Sequence, residues 1–162
     1  MKKLFLIALI FIGFTTLSNA QTISENAIGL RLGDSNGMGA EVSYQRALGD
    51  NNRLELDLGW RNGNDYNGFK LTALYQWVFN LDGSFNWYVG AGGGLGSFDG
   101  KNDKRDINDT FIYAAGDLGI EYSFDIPLML SLDLRPELGF GNDNLNNDDL
   151  DFDIAFSIRY QF

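Results

Sequence analysis

From residue 27 to residue 162 the chain places an apolar side chain at almost every second position. Stretches of this kind are separated by clusters of Gly, Asn and Asp. Side chains of a strand point alternately to its two faces, so a period of two predicts strands with one apolar and one polar face. A helix would space its apolar residues three and four apart. The last stretch, 150–162, is the clearest. Leu150, Phe152, Ile154, Phe156, Ile158, Tyr160 and Phe162 share one face, while Asp151, Asp153, Ala155, Ser157, Arg159 and Gln161 share the other. The same pattern predicts strands at 27–33, 38–48, 53–61, 69–79, 85–98, 111–124 and 126–141, making eight in all. Connections alternate in length. Residues 33–37, 62–66, 99–109 and 142–149 form longer polar loops, whereas 49–51, 82–84 and 125 form tight turns.

Alternation alone leaves two arrangements open. A soluble barrel or sandwich turns the apolar face inward, and a membrane barrel turns it outward. The polar face is rich in charge of both signs at mid-strand, with Arg31, Arg53, Arg61, Lys70, Arg135 and Arg159 set against Glu41, Glu55, Asp57, Asp117, Glu121, Asp133 and Glu137. In a closed barrel these groups meet across the lumen as an ion-pair network. Aromatic residues gather at strand ends. Tyr75, Trp77, Phe79, Phe85, Trp87, Tyr122, Phe124, Tyr160 and Phe162 lie towards the tight turns, and Trp60, Phe69, Phe140 and Phe152 towards the long loops. Two such bands flanking aliphatic centres are the girdles expected at the two lipid–water interfaces. Both features favour the outward-facing arrangement.

Two details qualify the pattern. Pro136 falls inside the seventh strand, where a ladder N–H is needed, and predicts a local bulge near the loop rim. Gly90, Gly92, Gly94 and Gly96 occupy the polar face of the fifth strand. The expectation there is close backbone packing, the alternative being room for bulky neighbours such as Tyr113 and Phe111.

The first twenty residues are of another kind. Met1-Lys2-Lys3 is a positive start, residues 4–14 are apolar apart from Gly13, and Ser18-Asn19-Ala20 is a small-x-small cleavage site. This predicts an exported chain with a signal peptide at 1–20 and a mature barrel domain at 21–162. The apolar run is too short for a membrane-spanning helix, which needs about 20 residues. Composition narrows the chemistry. The net charge is −10, and every acidic residue lies beyond the leader, so the surface repels nucleic acid. There is no cysteine and no histidine, which removes thiolate chemistry, the usual general base and the commonest metal ligand. No cofactor or enzyme activity is expected. Residues 99–109 and 142–149 are rich in oxygen ligands but lack EF-hand spacing, so they read as solvated loops.

The final strand ends on Phe162, with Tyr160, Ile158 and Phe156 at alternate positions before it. It resembles the C-terminal signal that barrel-assembly machinery reads in outer-membrane β-barrel proteins. Together with the leader and eight strands, the whole mature chain resembles small OmpA/OmpX-type barrels. That resemblance implies an all-β, closed, antiparallel up-and-down barrel resident in the bacterial outer membrane. It also implies contact with the assembly machinery and with outer-membrane lipid. The lumen is expected to be plugged, since about eight strands leave an interior just wide enough for side chains to fill. The expected role of this monomer is structural or interactive: envelope integrity, or adhesion to an extracellular ligand through loops 99–109 and 142–149. The alternative is a small-ligand or lipid-binding barrel, embedded or soluble in the periplasm.

Overall fold

The computed structural model describes residues 23–33, 39–62, 66–102, 105–140 and 150–162, with side chains left out at 61–62, 66–67, 98–102 and 105–109. The expected leader at 1–20 and the expected loop at 142–149 lie outside the described residues, as does most of the loop at 33–37. Eight strands follow one another: β1 (Asn26–Gly33), β2 (Glu41–Ala47), β3 (Asn52–Asn62), β4 (Tyr66–Asp82), β5 (Phe85–Asn102), β6 (Arg105–Ser123), β7 (Leu128–Phe140) and β8 (Leu150–Gln161). Each pairs antiparallel with the next, and β1 pairs with β8 to close the barrel. At the seam the register runs from Ala27 opposite Gln161 to Gly33 opposite Ala155. Asn26 and Phe162 exchange two backbone hydrogen bonds, N to O at 3.0 and 2.9 Å, so the last residue helps to lock the closure. A Cβ at Gly29 would overlap the Ile158 carbonyl, which makes glycine obligatory where β1 and β8 approach.

The apolar face points outward. Ile28, Leu30, Leu58, Leu71, Leu118, Ile120, Leu132, Ile154 and Ile158 are all exposed, Ile154 at 62%. Their polar strand neighbours are buried inside. Exposure of an entire apolar band inverts the pattern of a soluble barrel, whose greasy face forms the core. The aromatic residues flank this band. At the turn end Phe79 stacks on Trp87 with ring centroids 4.7 Å apart, and Tyr122 packs between Phe85 and Phe124 at 4.6 and 4.7 Å. Trp60, Phe69, Phe140 and Phe152 are exposed at the loop end.

The turns at the other end are tight. Gly83 and Ser84 alone separate β4 from β5, and Gly83 takes φ 53°, a left-handed conformation that favours glycine. Asn80 Nδ2 donates to the carbonyls of Gly83 and Phe85 at 3.0 and 3.3 Å and so fastens this turn.

Two expectations from the sequence change. Residues 99–102 and 105–109 are not a plain loop. β5 and β6 continue through them, with Asp99 opposite Asn108, Lys101 opposite Asp106 and Asn102 opposite Arg105. Among the described residues β7 joins β6 from Phe140 opposite Ile112, and the β5–β6 hairpin runs past that rung. Polar residues in a two-stranded ladder outside the barrel need not alternate in hydrophobicity, and that masks the strands in the sequence.

The expected bulge at Pro136 is absent. The β6–β7 register is the same on both sides of a gap between Ala115–Glu137 and Leu118–Leu134. Phe124 N bonds to Leu128 O and Gln161 N to Pro127 O, so even-numbered residues of β7 bond towards β6 and odd ones towards β8. Pro136 therefore stands where its missing N–H would meet Gly116, and the ladder simply skips this rung. Pro136→Ala restores the donor and should stabilise the barrel by about 0.5–1.5 kcal/mol. Urea unfolding in lipid vesicles checks this, and an unchanged or lower midpoint argues against a vacant rung.

The glycines of β5 serve both expected roles. A Cβ at Gly92 would collide with the Ala73 carbonyl, which is backbone packing. At Gly94 and Gly96 it would also run into the rings of Tyr113 and Phe111, and at Gly119 of β6 into that of Tyr88. The small residues thus make room for three aromatic rings beside the lumen wall.

Candidate functional site in the barrel lumen

The strand period carries charged side chains of seven strands into one enclosed space. Arg31, Glu41, Arg53, Glu55, Asp57, Lys70, Asp117, Glu121, Asp133, Arg135, Glu137 and Arg159 all point inside and are buried. Arg61 lies on β3 with the same parity, but its side chain is outside the described residues.

The network has a centre at Glu55 on β3. Its Oε1 accepts from Arg135 Nη2 at 3.0 Å, and its Oε2 from Arg159 Nη2 at 3.2 Å, Gln76 Nε2 at 3.1 Å and Gln45 Nε2 at 2.5 Å. These partners come from β7, β8, β4 and β2, so the bonds tie opposite walls together. Arg135, wholly buried, also reaches Asp57 at 2.8 Å and Glu41 at 3.7 Å. Arg159 donates to Ser43 and Ser131 at 3.0 and 2.8 Å.

Towards the loops, Arg31 gathers Glu41, Asp133 and Asp153 at 3.0, 2.5 and 2.6 Å. Nearer the loop rim, Lys70 Nζ bonds to both carboxylate oxygens of Glu137 at 2.7 Å and sits 4.9 Å from the centroid of the Tyr113 ring. The Tyr113 hydroxyl meets Thr72 Oγ1. Towards the turns, Arg53 donates from Nε to Gln76 at 2.5 Å, lies 2.7 Å from Glu121 and covers the Tyr88 ring at 4.7 Å. Gln76 also donates to Asp117 at 2.5 Å.

Charges this deep are tolerable only when each finds an opposite partner and hydrogen bonds. Arginine suits the task, because its planar fork serves several carboxylates at once. Among the described residues eight buried carboxylates face five buried cations. Asp153, which the sequence reading also placed in the lumen, belongs to this network too. Gln45, Gln76, Ser43 and Ser131 were missed as members, yet each shares parity with a charged residue of its own strand, while Tyr88 shares the parity of the glycines Gly90 to Gly96 on β5. Strand parity was the signal that could have found them.

This constellation couples acids to arginines across a filled space. It presents no histidine or cysteine for nucleophilic chemistry. Among the described residues no group of three or more acidic side chains is placed to hold a metal ion. The residues of the expected assembly signal stand elsewhere: Phe156, Ile158, Tyr160 and Phe162 are exposed on the outer face of the closing strand.

No protein-family model matches the sequence, and no curated protein matches it either. Solved structures do. The chain is similar to the N-terminal β-barrel domain of Pseudomonas aeruginosa OprF, with 15% identity and a TM-score of 0.69 over 86% of this chain and 98% of that one. It is similar to Neisserial surface protein A, with 15% identity and a TM-score of 0.62 over 85% and 94%. It is also similar to Ail, the attachment invasion locus protein of Yersinia pestis, with 12% identity and a TM-score of 0.58 over 86% and 97%. At such identities the likeness is one of fold: a closed, antiparallel, eight-stranded barrel.

Proposed function

We propose that the chain is a small integral protein of a bacterial outer membrane. Its barrel acts as a rigid, filled anchor, and its work is done in the envelope or at the cell surface rather than by catalysis. The observation that carries this reading is the inversion of the barrel: aliphatic residues outside, a tied ion-pair network inside. A band of exposed Leu, Ile and Val needs a lipid solvent, and a lumen crossed by Arg135, Arg159 and Arg31 leaves side chains where a solute would pass. The similar structures are outer-membrane barrels, which supports the same placement. Export through a leader cut after Ala20 completes the reading, with the mature chain inserted as a monomer. Contact with other surfaces then falls to the loop end, where the β5–β6 hairpin extends beyond the rung of Ile112 and Phe140.

Membrane fractionation of the natively expressed protein, with mass spectrometry of its N-terminus, tests the placement. The expected result is a heat-modifiable band in the outer-membrane fraction starting at Gln21. Soluble protein, or an intact Met1 terminus on the inserted form, would overturn it. Planar-bilayer recording tests the filled lumen, and steady conductance would show an open pore instead.

A further inference from the structure

Asp82 at the end of β4 aside, Arg46 is the one charged side chain on the outward strand faces among the described side chains. It follows Val42 and Tyr44 on that face of β2 and precedes the exposed Leu48 in the turn. Tyr44 shares a rung with Ile28 and, across the seam, with Tyr160 of the aromatic girdle. Arg46 therefore stands between the girdle and water, at the depth of the lipid headgroups. Its guanidinium is held in place. Nη1 donates to Asn26 Oδ1 at 2.8 Å, and the same oxygen accepts from the Tyr44 hydroxyl at 2.8 Å. Nη2 lies 3.0 Å from Glu25 Oε1. Glu25 is anchored in turn, because its carbonyl accepts from Ala47 N at 2.9 Å. The two charged side chains are still 46% and 71% exposed, so the remaining N–H groups of Arg46 and the second oxygen of Glu25 face outward.

A fixed cation beside a fixed anion, both open to the headgroup layer, defines the occupant. An anionic headgroup satisfies Arg46 but meets Glu25 and a chain of net charge −10. A phosphocholine satisfies Arg46, but its quaternary ammonium has no N–H for Glu25. A phosphoethanolamine carries a primary ammonium two carbons from its phosphate oxygen and serves both. We propose that Arg46 and Glu25 bind the headgroup of one phosphoethanolamine lipid in the leaflet at the turn end. Its phosphate accepts from the spare N–H groups of Arg46, and its ammonium donates to Glu25 Oε2. Its acyl chains run up the apolar face of β1 and β2, past Tyr44, Val42 and Leu30. The inference rests on the placement of the barrel in a bilayer and adds the lipid that it selects there.

The test uses the mature chain refolded in maltoside micelles and followed by NMR. Three lipids with the same short acyl chains are added in turn: phosphatidylethanolamine, phosphatidylcholine and phosphatidylglycerol. Phosphatidylethanolamine should shift the Glu25 and Asn26 amides saturably, at a mole fraction about fivefold lower than either of the others, the scale of one exposed ion pair. Arg46→Gln should bring the three lipids level. Glu25→Gln should put phosphatidylglycerol first, because the repelling carboxylate is gone while Arg46 remains. Heat-modifiable gel mobility shows that both variants fold, as expected of side chains outside the lumen network. Any other order on the unaltered chain, equality included, overturns the proposal. So does a phosphatidylethanolamine preference that survives either substitution. Should a variant fail to fold, the three-lipid comparison on the unaltered chain decides alone. A chain that stays soluble without detergent would instead overturn the membrane placement itself.

Discussion

Arg135→Met should cost the barrel about 3–5 kcal/mol, because it leaves buried carboxylates without their cation. Among the described residues Arg135 is the one side chain that reaches Glu55, Asp57 and Glu41 together, at 3.0, 2.8 and 3.7 Å. Methionine fills much of the same volume, so the loss is electrostatic more than steric. Glu55 retains Arg159, whereas Asp57 has no other ion pair among the described residues. Adding Asp57→Asn to Arg135→Met should therefore recover part of the loss. The non-additivity expected for two groups in one network is about 0.5–3 kcal/mol. Reversible urea unfolding in lipid vesicles measures both variants. A loss below about 1 kcal/mol in the single variant would mean that the lumen is wet enough to screen its charges.

The second large effect belongs to the outer face. Leu56 is 37% exposed near the middle of β3, and Leu48 is 56% exposed in the turn before it. In water, arginine at either site would be nearly neutral. In a bilayer the two separate by depth, since arginine on the lipid face of such a barrel costs about 2–4 kcal/mol at the midplane and about 0–1 near the interface. Leu56→Arg should thus lose several times more stability than Leu48→Arg when both are unfolded from vesicles. Equal small losses would remove the lipid from the account of this fold.

These two variants also mark what the sequence made legible. β8 could be read residue by residue, because Leu150 to Phe162 never breaks its alternation. The pattern placed Arg135 and Glu55 on polar faces, and closure of eight strands then had to bring those faces together. Which partner each charge takes was not legible. Glu55 and Arg135 are distant in sequence and meet only through the curvature and register of the closed sheet. Pro136 was misread for a related reason. Whether a proline interrupts a ladder or forces a bulge depends on which neighbour its nitrogen faces, and the register decides that. The paired residues after Asp99 escaped because Gly, Asn, Asp and Lys look alike in a loop and in a solvated hairpin. The glycines of β5 carried a signal of spacing, but only the positions of the Tyr113 and Phe111 rings show what it was for.

The seam between Asn26 and Phe162 has a kinetic consequence. The first strand finds its second neighbour only when the last strand exists, so no partial chain can complete the fold. Until then the growing sheet has two open edges, and each carries backbone donors and acceptors able to pair with another chain. Contacts that span nearly the whole sequence are also slow to form, because the loop they close is the longest available. The closing of one pair of strands is therefore the event that ends the chain's exposure to aggregation.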